Sequence, residues 1–289
     1  KRIQQTVGNK LIMRERLYDF QTEISDSPLE RSEAALALLH GQNVPEWALS
    51  RAHMLQRRVA AGAPMDTDPA GEVEFVEITP EIFQITGGSH HSLVRVGRVS
   101  TVVIGAPWGP RRSQAVIKAI SQRWPDKPIS HLIITHHHND HSAGLMSFVD
   151  AGVSLVMGVR ARQYFGAVFA KSGRKNISNK TVADQFRLNA LGDLIELYSV
   201  PNSHAESMLI AYFRSAKVLY TSDLYSPGRD KQHHLWPREL LDAIEWLDLD
   251  VRQIVGSHGK GAASLDDLRS VVNLSLIHIS EPTRRALIA

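Results

Sequence analysis

The chain has 289 residues, 43% hydrophobic and 22% charged, the balance of an ordinary globular protein. It contains no cysteine, which excludes disulfides, thiolate metal sites and a cysteine nucleophile. The net charge of +3 is spread without a basic block, so a nucleic-acid face is not expected, and no apolar run reaches the roughly 20 residues of a membrane helix. No signal peptide is read, while a first residue of Lys1 rather than Met leaves room for an upstream segment. The sequence therefore does not choose between cytoplasm and periplasm.

In chain order, residues 1 to about 65 are expected to be helical. Ser27-Pro28-Leu29-Glu30 is a helix start, with a serine cap, proline at the first position and glutamate three residues after the cap. A second helix is expected from Pro45 to about Ala60, with Trp47, Leu49, Met54 and Leu55 as its packed face. A Gly- and Pro-containing linker closes this segment at about residue 70.

From Gly71 the texture changes to short β-type runs: Val73–Val76, Ile82–Ile85, Ser92–Val96 and Thr101–Ile104. A helix over Arg111–Trp124 precedes a buried strand over His131–Ile134. Short helices are expected over Gly144–Ala151 and 159–170, with a strand over Val153–Met157 between them. Ser172–Leu191 is polar and yields no assignment. Strands follow over Leu194–Val200, Met208–Phe213, Val218–Thr221 and Val251–Val255, with helices over Pro237–Leu247 and Ser264–Val272. Strands first, then strands alternating with helices, point to sheets covered by helices.

Leu274 to Arg284 read LSLIHISEPTR, which looks like the translation of a transposase adapter from a sequencing library. Residues 274–289 are therefore set aside as non-native, and His278 with them. This leaves three parts: 1–70, a helical segment with its linker; 71–273, the main domain; and the tail.

The chemistry concentrates in Thr135-His136-His137-His138-Asn139-Asp140-His141, directly after the His131–Ile134 strand. Imidazole is the commonest biological zinc ligand. In extended backbone, alternate side chains share a face, so His136 and His138 converge while His137 points away. Asp140 and His141 turn toward a neighbouring position. One such cluster does not complete a two-metal site. Three further candidates each follow an apolar run: His204 after Leu197–Pro201, Asp223 after Val218–Thr221, and His258 after Ile254–Gly256.

With these residues in place, the chain resembles the metallo-β-lactamase superfamily of hydrolases from about Glu72 to Asn273. Its THHHxDH form is also similar to that of glyoxalase II. The fuller pattern, with Gly87-Gly88-Ser89-His90-His91-Ser92 ahead of the metal motif, looks like a broad group of bacterial zinc hydrolases. The resemblance implies an α/β fold: a four-layer αββα sandwich with metals at one edge, preceded by the N-terminal helical segment. It implies two Zn2+ ions, with Fe or Mn as alternatives. His136, His138 and His204 would hold the first, Asp140, His141 and His258 the second, and Asp223 would bridge them. A metal-bridging hydroxide would attack an ester, thioester, amide or phosphoester of a small molecule, with Asp140 orienting it and taking its proton. His90, His91 and Ser92, and the His233, His234 and Trp236 loop, are candidates for the substrate pocket.

The alternative within the same fold is the persulfide dioxygenase type, with one iron held by two histidines and an aspartate. The intact second set of candidate ligands argues against it. Nucleic-acid-processing members carry an inserted cap domain, for which this chain has no room. Many members place an acidic residue where Gly105 stands, which leaves the support of the metal-binding histidines open. The C-terminal substrate-binding helices of glyoxalase II are not present, so that activity is not expected.

Overall fold

The computed structural model describes residues 2–7, 10–16, 72–174, 177–189, 194–229 and 235–273. The chain separates into two units, Lys1–Gly62 and Ala63–Ala289. The helices expected from Ser27 and Pro45, and the adapter-like tail, lie outside the described residues.

In the first unit, strands β1 (Arg2–Val7) and β2 (Lys10–Arg16) form an antiparallel hairpin, with Arg2 opposite Arg16 and Val7 opposite Lys10. This corrects the expectation that residue 1 onward is helical. Gly8-Asn9 is a pair of the kind that closes two-residue hairpins, whereas Ile3, Val7 and Leu11 recur at a spacing of four that also suits a helix.

The second unit is built on two sheets. The larger has seven strands in sequential order: β3 (Glu74–Thr79), β4 (Ile82–Thr86), β5 (Ser92–Val96), β6 (Thr101–Ile104), β7 (Ile129–Ile134), β8 (Ser154–Gly158) and β9 (Asn179–Val182). Pairing is antiparallel from β3 to β6 and parallel from β6 to β9. The parallel half requires crossovers. These are α1 (Pro110–Arg123), the short α2 (Asn139–Ser142) with α3 (Leu145–Asp150), and α4 (Val159–Lys171). The smaller sheet has five strands: β10 (Gln185–Leu188), β11 (Ile195–Val200), β12 (Met208–Phe213), β13 (Val218–Tyr220) and β14 (Gln253–Val255). Only β13 and β14 pair in parallel, joined through α5 (Trp236–Trp246). A last helical stretch covers 265–273.

Period-two alternation explains the layering. Ile82, Leu93, Val102, Ile104, Ile133 and Val156 of the larger sheet pack onto Leu197, Leu209, Ala211, Phe213, Val218 and Val255 of the smaller. The residues between them, Phe83, Ile85, Val94, Val103, Leu132, Ile134, Leu155 and Met157, face the opposite way and meet Val116 and Ile120 of α1 and Phe148 of α3. The outer face of the smaller sheet presents Tyr198, Met208, Ile210, Tyr212 and Leu219 to Leu240, Leu241 and Ile244 of α5 and to Leu268. The result is the αββα sandwich. Among the described residues, no helix is long and apolar enough to cross a membrane.

The polar stretch without an assignment, Ser172–Leu191, contains β9 and β10, which lie at the edges of the two sheets. Asn179–Val182 and Gln185–Leu188 expose much of their length, as edge strands do, and so lack the apolar signature of the others.

Gly144 sits where α2 turns into α3 and its N–H donates to the Ala106 carbonyl at 3.0 Å. A Cβ there would collide with Ser113 Oγ and lie 2.6 Å from the Gly109 carbonyl oxygen. Gly144→Ala is expected to cost about 1–3 kcal/mol, lowering the thermal midpoint by about 2–4 °C per kcal/mol for a domain of this size. An unchanged midpoint in a thermal melt would show that this junction yields freely.

Candidate metal centre

Four strand ends deliver the cluster to one edge of the sandwich. His136 and His138 follow β7 in the larger sheet, while Asp223 and His258 follow the parallel neighbours β13 and β14 in the smaller. His204 follows β11. The sheets are tied at this edge by the Leu209 N–H, which donates to the Thr135 carbonyl at 2.8 Å, and by the His91 N–H, which donates to the Ser257 carbonyl at 2.7 Å.

The side chains form two groups, His136, His138, His204 and Asp223, and His90, His141 and His258. Asp223 joins them. Its Oδ2 lies 2.9 Å from His204 Nε2, 3.0 Å from His141 Nε2 and 3.6 Å from His136 Nε2. Its Oδ1 lies 3.2 Å from His258 Nε2 and accepts a hydrogen bond from Ser257 Oγ at 2.6 Å. Asp140 Oδ2 is 3.6 Å from His141 Nε2 and 3.3 Å from His90 Nε2. Thus every residue expected at the first or second metal is brought into one region.

The pocket residues divide. His90 stands inside the second group. His91 and Ser92 are buried and belong to neither group. His91 donates and accepts backbone hydrogen bonds, its carbonyl taking the Tyr220 hydroxyl at 3.3 Å. Burial lowers its imidazole pKa to about 4. Trp236 packs edge-on against His204, ring centroids 4.4 Å apart. His233 and His234 lie outside the described residues. His137 turns from the cluster toward Tyr164, at 4.8 Å.

Hydroxyls and carbonyls orient the imidazoles. Thr135 Oγ1 donates to Ser222 Oγ at 3.0 Å and lies 3.1 Å from His136 Nδ1, so it accepts the Nδ1 proton and leaves the His136 Nε2 lone pair free. Gly105 has a φ of 82° and no side chain to offer the histidines, whereas the Thr135–Ser222 pair contacts His136. His258 Nδ1 lies 2.9 Å from the Ser89 carbonyl, which only accepts, so its Nε2 carries the lone pair. Asn202 Oδ1 accepts from the N–H groups of His204 and Ala205, and Glu239 accepts from Ser203 N–H, fixing the His204 turn. Thr135, Ser222 and Ser257 each adjoin a candidate ligand in sequence, which is the only signal of their role.

Electrostatics keep the nitrogens ready to coordinate. Burial, then the neighbouring His204, pushes the His138 pKa down to about 3, and burial with His141 nearby holds His136 well below the usual range. Burial opposes ionisation of Asp223, but the adjoining His141 and His204 hold its carboxyl well below the usual carboxylate range. Neutral imidazoles around a carboxylate are the donor set of a zinc-type site.

Two features fit a cation. His136 Nε2 and His204 Nε2 face each other at 3.2 Å. Two nitrogens on one tetrahedral zinc, each about 2.0–2.1 Å away, would stand about 3.3 Å apart. In addition, His138 Nδ1 is buried without a hydrogen-bond partner among the described residues. A buried unpaired polar atom is costly unless something from outside the chain satisfies it.

A sandwich of this layering, with imidazoles and carboxylates gathered at one sheet edge, defines a class of metal-binding proteins. The family model described as the metallo-beta-lactamase superfamily matches residues 85–258, and the chain belongs to that superfamily. It is similar to the alpha subunit of 2,4-dinitroanisole O-demethylase from Nocardioides sp. (strain JS1661), at 21% identity over 183 residues. That match covers 61% of this chain and spans 55% of the length of that curated relative. Among solved structures it is similar to a metallo-beta-lactamase from Pontibacter korlensis, at TM-score 0.56 and 18% identity, covering 71% of this chain and 99% of that one. The mono-zinc form of the metallo-beta-lactamase FIM-1 from Pseudomonas aeruginosa gives the same TM-score at 14% identity, covering 73% of this chain and 99% of that one.

Proposed function

We propose that this protein is a metal-dependent hydrolase with two divalent ions, zinc by preference, held by His136, His138 and His204 on one side and Asp140, His141 and His258 on the other. The observation that carries this reading is Asp223, whose carboxylate lies within 3.6 Å of imidazoles of both groups, His136 and His204 of one and His141 and His258 of the other. Iron or manganese fits the same donors less well, since the site is rich in imidazole and has few oxygens.

Bound there, two such ions would bring the pKa of a shared water from about 16 toward 7, supplying hydroxide at neutral pH and a Lewis acid for the substrate oxygen. The chain's own residues do the rest. Thr135 and Ser89 fix the tautomers of His136 and His258. Ser257 holds Asp223 in place. Asp140, whose side chain is 31% exposed against 7% for Asp223, is the more solvent-accessible carboxylate of the site and would take the proton of the attacking water. His204 is walled by Trp236, which excludes water from that side.

The substrate is a small molecule with an ester, thioester, amide or phosphoester centre. The likeness to a demethylase named for 2,4-dinitroanisole adds activated aryl methyl ethers to that range. The test is metal content together with hydrolysis of a panel of p-nitrophenyl esters, bis-p-nitrophenyl phosphate and 2,4-dinitroanisole, in wild type and His136→Ala. Loss of metal and of turnover together in the variant is expected. Equal metal and equal turnover would sink the assignment, and a single iron with oxygen consumption would replace it with the dioxygenase reading.

A further inference from the structure

The His90 imidazole lies in the loop between β4 and β5, outside the run that carries the other histidines of the larger sheet. Its ring centroid is 4.3 Å from His258 and 5.0 Å from His141, and those two are 5.3 Å apart. In the first group the spacings are 4.6 Å for His136–His138, 4.9 Å for His136–His204 and 4.6 Å for His138–His204. The two triads are close to equal in size. Both are also set mostly at steep interplanar angles, 56–88° in one and 63–79° in the other. Three rings that converge edge-forward on one point are arranged for a shared ion and not for stacking.

The surroundings of His90 hold its ring in place. Ser89 Oγ lies 2.8 Å from His90 Nδ1, and the Ser89 carbonyl lies 2.9 Å from His258 Nδ1. One residue thus orients both rings. With Ser89 Oγ accepting the Nδ1 proton, His90 Nε2 presents a lone pair. The same Nε2 lies 3.3 Å from Asp140 Oδ2, a contact satisfied either by an Nε2–H donor or by a cation that both atoms hold, and the test below separates the two. The loop itself is anchored: the His91 N–H bonds the Ser257 carbonyl beside His258, and the Trp108 ring lies edge-on to His90 at 5.5 Å.

We propose, building on the two-metal reading above, that His90 is a ligand of the second metal, which is then a site of three imidazoles with Asp140 and a share of Asp223. The larger sheet and the smaller one both contribute to it. Three imidazoles make the second site as nitrogen-rich as the first, so both take the same borderline ion and neither takes magnesium or calcium.

The test is equilibrium titration of metal-free protein with Zn(II) and with Co(II), in wild type, His90→Ala and His90→Gln. Wild type is expected to take two equivalents of similar affinity. His90→Ala is expected to keep one tight equivalent and bind the second at least tenfold more weakly, with the d–d absorption of the second Co(II) altered. His90→Gln keeps a hydrogen-bond donor toward Asp140 and is expected to behave like His90→Ala. Two unchanged equivalents with an unchanged Co(II) spectrum in His90→Ala would overturn the assignment. Recovery in His90→Gln would also overturn it, leaving His90 only a hydrogen-bond donor to Asp140. Wild type that takes fewer than two equivalents would fail the two-metal reading itself, a separate result.

Discussion

If the site works as proposed, Asp223→Ala is expected to lose at least one of two bound metals and reduce hydrolysis by about a thousandfold or more. The physical reason is that Asp223 is the one negative group in contact with four imidazoles, His136, His141, His204 and His258. Without it, two dications would face only neutral rings on the buried side of the site, and their mutual repulsion would go unscreened. If the metals supply several kcal/mol of transition-state stabilisation, their loss costs roughly a factor of ten for each 1.4 kcal/mol. Asp223→Asn is the informative companion, because the amide keeps the volume and can accept from Ser257 Oγ but carries no charge. Metal analysis should give fewer than two equivalents in both variants. Two equivalents and near-wild-type turnover in Asp223→Ala would remove the carboxylate from the centre of the scheme.

Phe148→Ala is expected to give the largest loss of stability of any single truncation beneath the site, about 3–5 kcal/mol. Phe148 is fully buried on α3, in the layer between the larger sheet and its helices. The neighbouring Phe165 and the strand residues Leu132 and Leu155 are rigidly held by their own elements and close poorly over the void. Urea unfolding should show a lowered midpoint with an unchanged slope. Since α3 follows directly on the Asn139–Ser142 turn that carries Asp140 and His141, the same variant should also release metal more readily than wild type. A midpoint within experimental error of wild type would mean the layer repacks, and would refute the rigid-layer account.

Much of the fold was legible because the buried strands are apolar on both faces. Ser92–Val96 and Met208–Phe213 have the same limits in sequence and structure, since each is bounded by residues that cannot extend a buried strand. The edge strands β9 and β10 were not legible, because a strand with one solvated side and few β-branched residues looks like loop. The hairpin β1–β2 reads as helix from its apolar spacing, although Gly8-Asn9 between two short runs is a turn signal. At the site, HxHxDH was legible because its candidate ligands are local and the spacing itself encodes convergence. His204, Asp223 and His258 were legible only as residues after strands. The position of His90 beside His258 was not, because it depends on two loops 169 residues apart closing on each other. No periodicity in a single sequence records such a meeting.

That separation has a consequence for how the protein forms. Five of the gathered side chains hang from the larger sheet and three from the smaller, so the centre does not exist until the sheets have docked. The chain must close loops of high contact order first, which makes its folding slow compared with a helical protein of equal length. An ion held by residues of both sheets would bind the docked state and not the unfolded chain, and would stabilise that state by mass action. A metal bound there would join the two sheets, as a clasp across a seam closes only when both edges have met.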